Sequence, residues 1–148
     1  MNEVHNKLEY NKVTPNIYIG TNMCCQTHFE EELLNEGINS DISLEEDRLD
    51  SPFGVDFYLW LPTKDQSPPS MDQIKLGVEI IKKLIDMNRK IYIHCKNGHG
   101  RAPTLVSAYF ITQGMGIEEA INFIKEKRPS IHLHEDQIKA LQEFKKVI

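Results

Sequence analysis

Apolar and polar positions alternate in two rhythms along this chain of 148 residues. Short apolar runs occur at Asn16 to Gly20, Ile38 to Leu44, Val55 to Leu61 and Lys90 to His94, and each reads as a strand. Between and after them the spacing lengthens to three and four. Ser70 caps a helix over Met71 to Met87, with Ile74, Val78, Ile81 and Ile85 on one face. Arg101 to Met115 is apolar on nearly all sides and reads as a central, buried helix, which Gly114 and Gly116 break. Ile117 to Lys127 is amphipathic through Ile117, Ile121 and Ile124, and Pro129 ends it. His134 to Ile148 closes the chain with Ile138, Leu141 and Phe144 inward. Near the start, Thr21 and Asn22 suit the cap of a helix over Cys24 to Glu36, stopped by Gly37. Residues 1 to 12 are polar and read as an arm or edge segment. Glu45 to Gly54 and Pro62 to Ser70 read as loops, the second stiffened by three prolines.

Strands alternating with helices predict an α/β fold, a single domain with a mainly parallel central sheet flanked by helices. Parallel sheets place ligands at the carboxyl ends of their strands. The strand ending at His94, with its loop and buried helix, is therefore the place to look.

Composition sets the boundaries. Apolar residues make up 40% and charged residues 26%, ordinary for a globular domain. The net charge of −5 argues against a general nucleic-acid or anionic-membrane binder. A phosphate-bearing ligand must find a local positive spot. Three cysteines, Cys24, Cys25 and Cys95, make no disulfide framework and suit a reducing compartment. The polar N-terminus does not read as a signal peptide and no run is long enough to span a membrane, so a soluble, cytoplasmic protein, most simply a monomer, is expected.

The candidate chemistry lies in His94 to Arg101, H-C-K-N-G-H-G-R. Cysteine and arginine five residues apart are a weak signal by themselves. The context sharpens it: Cys95 ends an apolar strand, Gly98 and Gly100 follow, and Arg101 opens a helix. A thiolate nucleophile at neutral pH needs its anion favoured, which a helix N-terminus and a ring of backbone N–H groups do. Glycines permit the turns that aim those groups. The same cradle of Lys96, Asn97, Gly98, His99, Gly100 and Arg101 fits phosphoryl oxygens, and the planar fork of Arg101 matches two of them. His94, ending a strand, reads as a hydrogen-bonding structural residue.

The segment resembles the signature loop of cysteine-dependent protein phosphatases, most of all the small dual-specificity type, and the resemblance runs from about Asn16 to the last helix. It implies that Cys95 attacks phosphorus and that Arg101 binds the phosphate. The stretch Tyr58 to Asp65, Y-L-W-L-P-T-K-D, is similar to the family's strand and acid loop, making Asp65 the general acid. The chemistry asks for such an acid independently, because a departing alkoxide needs a proton. Asp56 and Asp72 are its rivals, the first inside a strand and the second in a helix's first turn. The resemblance implies hydrolysis of phosphotyrosine and phosphoserine or phosphothreonine esters, with no cofactor and no metal, and a pH profile shaped as a bell on the acid side of neutral.

Other residues widen the picture. The family usually has serine or threonine after the arginine, where this chain has Ala102. Loss of that hydroxyl predicts slow breakdown of a phosphocysteine, unless Thr104 replaces it. Lys96 and His99 give a pattern similar to the loop of a phosphoinositide phosphatase, although side chains that face outward and tune solubility are the simpler expectation. A lipid or other small phosphate ester is thus an alternative substrate. A phosphate-binding pseudophosphatase is another reading, and a sulfur-transfer protein a distant one. Cys24 or Cys25 shields Cys95 by a disulfide only if close in space. Gln137 is a candidate to position water. A metal on His99, His132 and His134 is disfavoured by their spacing.

Overall fold

The computed structural model describes residues 8–22 and 29–148. A five-stranded sheet runs in the order β1-β2-β5-β3-β4. The strands are β1 (Tyr10–Lys12), β2 (Ile17–Gly20), β3 (Ile38–Glu45), β4 (Phe57–Thr63) and β5 (Lys90–His94). The helices are α1 (Glu31–Asn35), α2 (Met71–Asp86), α3 (Arg101–Thr112), α4 (Ile117–Lys127) and α5 (Glu135–Val147). β2, β5, β3 and β4 are parallel, whereas β1 adds an antiparallel edge, so the sheet is mixed. The polar start of the chain thus includes an edge strand.

β5 lies at the centre, paired with β2 and β3. Its side chains alternate between the two faces. Ile91, Ile93 and Cys95 enter the large core that α2, α3, α4 and α5 build, while Tyr92 joins Tyr18, Phe29, Leu33 and Ile38 on the other face. Each fully buried isoleucine here contributes about 1.5–3 kcal/mol. α3 is buried almost throughout from Arg101 to Ala108, as its all-round apolar pattern predicts. Ser70 caps α2 in a reciprocal box with Gln73.

Several expected boundaries move, and the helix expected over Arg101 to Met115 ends at Thr112. The strand expected at Val55 to Leu61 begins and ends two residues later, because Pro62 continues it. β4 is an edge strand, where a missing N–H is tolerated. The helix expected over Cys24 to Glu36 is described only as the short α1, with Glu30 at its N-cap. Residues 23 to 28, with Cys24 and Cys25, lie outside the described residues. Thr21 and Asn22 do not cap α1. The Thr21 hydroxyl accepts from the Glu9 N–H, and the Asn22 amide donates to Glu45 Oε1 at 3.0 Å.

Candidate active site

The parallel strands deliver their ends to one cavity of about 180 Å3. Asp65, Gln66, Cys95, Asn97, His99, Gly100, Arg101, His132, His134 and Gln137 line it. Cys95 is 2% exposed and sits at the C-terminal end of β5. Arg101 is 5% exposed, and its Nη1 donates to the carbonyl of Thr63 at 3.0 Å. The end of β4 therefore aims the guanidinium opening α3. Its Nη2 lies 3.6 Å from Asp65 Oδ1. Asp65 is 72% exposed at the mouth, so this ion pair contributes little to stability and leaves the carboxyl free to turn toward a ligand. Gln66, at φ +65°, bends the chain there, and its N–H donates to Asp65 Oδ1.

The loop from Cys95 to Gly100 shows why this place suits an anion. Five successive carbonyls face partners outside it. Lys96 accepts from the Asn22 N–H, Asn97 from Arg128 Nη2 and Gly98 from Arg128 Nε. His99 accepts from the His132 N–H, and Gly100 from the N–H and hydroxyl of Thr104. All the peptide bonds of this loop are trans. In a trans peptide the following N–H points opposite to the carbonyl. The N–H groups of Asn97 to Arg101 thus point away from all these partners, and among the described residues none donates a hydrogen bond. Unused donors beside a buried sulfur and a buried guanidinium form a ready anion cradle. Gly98 makes the bend with φ +69°, and a β-carbon there would strike the carbonyl of Gly20.

His94 occupies the opposite face of the sheet from Cys95. Its Nε2 lies 2.8 Å from Asp50 Oδ2 and 2.9 Å from Asp41 Oδ1, and its ring stacks on Tyr92. Burial opposes the charge on His94, but the two carboxylates hold its pKa well above the usual histidine range. Burial lifts Asp41 to about 7. Burial also pushes Asp50 upward, yet the hydrogen bonds from His94 and Asp41 bring it down to about 2. These three are the one group with metal-ligating proximity among the described residues. The imidazole nitrogen already lies within hydrogen-bond distance of both carboxylates, which is the arrangement of a buried ion triad.

The structure brings Cys95, Arg101 and Asp65 to one cavity, with Asn97, His99 and Gly100 lining it. Lys96 and Gly98 belong to the same loop without lining the cavity, and Lys96 is exposed. Asp56 pairs with Arg89 at the opposite end of β4, and Asp72 lies in the first turn of α2. Thr104 does not replace the hydroxyl missing at Ala102, because its Oγ1 donates to the Gly100 carbonyl at 2.7 Å. Gln137 is fully buried on the cavity wall, its amide nitrogen donating to the Ser67 carbonyl. Sequence reasoning missed Gln66, Arg128 and the Asp41–His94–Asp50 triad. The signals were an aspartate inside an apolar strand and an arginine just before Pro129.

Comparison with known proteins bears on the family and the fold. Residues 17–147 match the family described as dual specificity phosphatase, catalytic domain. The phosphatidylglycerophosphate phosphatase PTPMT2 of Arabidopsis thaliana is 35% identical over 92 residues, covering 61% of this chain and 40% of that protein. The phosphatidylglycerophosphatase and protein-tyrosine phosphatase 1 of Homo sapiens is 36% identical over 81 residues, covering 54% and 40%. The chain thus matches less than half the length of these relatives. The crystal structure of PTPMT1 superposes with a TM-score of 0.80 at 26% identity, covering 94% of this chain and 95% of the other. A mouse putative dual specificity phosphatase complexed with zinc tungstate shares the fold, with a TM-score of 0.82 at 18% identity, covering 99% and 92%.

Proposed function

The chain belongs to the dual specificity phosphatase catalytic-domain family, and on that premise we propose that it hydrolyses phosphomonoesters through a phosphocysteine. The observation that carries this reading is the loop whose carbonyls from Lys96 to Gly100 are engaged outside and whose N–H groups, among the described residues, are left for an anion, around Cys95 and Arg101. Cys95 attacks phosphorus as thiolate, and the ester oxygen leaves with the bonding pair. Asp65 gives that oxygen its proton. Arg101 and the loop N–H groups hold the charge on the equatorial oxygens. Asp65, now a carboxylate, takes a proton from the water that attacks the phosphocysteine. The thiolate then departs and inorganic phosphate is released.

A cavity of about 180 Å3 admits a phosphoryl group and the start of its alcohol rather than a whole ligand. That supports hydrolysis of phosphotyrosine and phosphoserine or phosphothreonine alike. A second reading, a lipid phosphomonoester, is favoured by the phosphatidylglycerophosphatase names of the two relatives above. The third, a pseudophosphatase that binds phosphate with slow turnover, draws support from Ala102 and from the engaged hydroxyl of Thr104.

The test is a substrate panel. An aryl phosphate, phosphotyrosine and phosphothreonine peptides, and phosphatidylglycerophosphate in mixed micelles are compared by kcat/KM. Sustained phosphate release from both peptides supports the protein reading. A preference for the lipid by a hundredfold or more moves the assignment to lipids. One equivalent of product or none, from every substrate, contradicts the enzyme.

A further inference from the structure

Arg128 follows α4 as its C-cap, in non-helical backbone at φ −135°, because Pro129 comes next. Its side chain runs under the Cys95–Gly100 loop and is buried, at 3% exposure. Nε donates to the Gly98 carbonyl at 3.0 Å and Nη2 to the Asn97 carbonyl at 2.8 Å. Nη1 donates to Asn11 Oδ1 at 2.7 Å, tying in the edge strand β1. All three partners are neutral oxygens, and no carboxylate forms a salt bridge with Arg128 among the described residues. A buried cation without a counter-ion is costly. The cavity above it is where an anion is expected to sit.

The geometry points to Arg128 as a positioning residue that sets the phosphate affinity of the site from behind. By holding the carbonyls of Asn97 and Gly98 outward, it turns the N–H groups of Gly98 and His99 the other way. Only a planar fork serves both carbonyls at once. Its charge finds its counterpart across the loop, in the bound phosphoryl group. The residue touches no substrate, and its whole effect passes through the loop. This inference rests on the phosphatase reading above.

Arg128→Lys, Arg128→Met and Asn11→Ala separate positioning from general support. Each is compared with the wild type by calorimetric binding of inorganic phosphate, by kcat and KM for an aryl phosphate, and by thermal melting. Lysine keeps the charge and loses the fork, so phosphate affinity should fall about tenfold, with a matching rise in KM. Methionine should cost about a hundredfold. Asn11→Ala removes the third contact but leaves both loop contacts, and its phosphate affinity should stay within twofold even if it melts earlier. Arg128→Lys that binds phosphate as the wild type does overturns the proposal. So does a loss of affinity that Asn11→Ala shares in proportion to its loss of Tm. If Arg128→Met does not fold, the lysine and alanine variants decide. A wild type that neither binds phosphate nor hydrolyses the ester sinks the phosphatase reading itself, and this inference with it.

Discussion

The inner and outer sides of one loop are built in opposite ways. Outside, every carbonyl from Lys96 to Gly100 has a partner, and two buried donors of Arg128 serve a single stretch of backbone. Inside, among the described residues, the N–H groups of Asn97 to Arg101 are left unengaged beside Cys95 and Arg101. Backbone groups are strong obligatory partners, so leaving a row of them unmet is unfavourable. Outer contacts hold the row in place before any ligand arrives, so little reorganisation remains when charge develops. Arg101 and Arg128 show the same division. Both are buried, but Arg101 donates to the Thr63 carbonyl and faces the cavity, whereas all three directions of Arg128 are taken.

The contrast is broken most severely on the inner side. Asp65→Asn removes the proposed proton donor without changing the outer contacts. It should slow hydrolysis of an alkyl phosphate by about 10²–10⁴. A nitrophenyl ester, whose leaving group needs no proton, should lose far less. Equal losses for both esters in steady-state assays would move the acid elsewhere.

Gly98→Ala attacks both sides together. The new methyl meets the Gly20 carbonyl and the Arg128 guanidinium, at a residue with φ +69°. The left-handed backbone alone costs about 1–2 kcal/mol. The expected result is a lower midpoint in urea and a KM for aryl phosphate raised about tenfold or more. An unchanged KM would show that the bend at Gly98 does not shape the cradle.

Ala102→Ser adds a donor inside the first turn of α3 without touching the outer partners. A hydrogen bond to the departing thiolate is worth about 1.5–3 kcal/mol. Breakdown of the phosphocysteine should quicken by about tenfold to a hundredfold, without a larger burst in rapid-quench kinetics. An unchanged rate removes the argument from the missing hydroxyl.

The smallest effect on activity is expected behind the sheet. Asp41 rises from an ordinary value near 4 to about 7 through burial, so the folded protein binds more protons than the unfolded chain between those values. That contribution to stability is present below pH 4 and is lost as pH rises toward 7. Asp50, lowered to about 2, acts oppositely, and its contribution is lost as pH falls below about 4. His94, raised, loses its contribution only above its ordinary range near 6.5. Asp41→Asn should therefore flatten the fall of stability between pH 4 and 7 in urea titrations, with kcat/KM within about twofold of wild type. A fall as steep as the wild type's would show that Asp41 does not carry the titration.

The α/β fold was legible because its signals are local. Ile74, Val78 and Ile81 recur at helical spacing, Ser70 and Gln73 make a cap box, and Gly98 and Gly100 sit between a strand and a buried helix. Cys95, Arg101 and Asp65 were legible as a set because they lie at the ends of such elements. Arg128 was not, since nothing local says that a residue after α4 reaches a loop about thirty positions earlier. Asp41 and Asp50 were hidden for the same reason, their partner His94 being distant in sequence. Pro62 misled the end of β4, because only the sheet order reveals an edge strand.

The proposed chemistry turns on transfer of the phosphoryl group to the sulfur of Cys95. The most direct measurement is acid quench of the Asp65→Asn variant during turnover of a phosphorus-labelled aryl phosphate, followed by peptide mapping. Close to one equivalent of label is expected on the peptide carrying Cys95, and none in Cys95→Ser. Continued phosphate release by Cys95→Ser, or label on another residue, would contradict it.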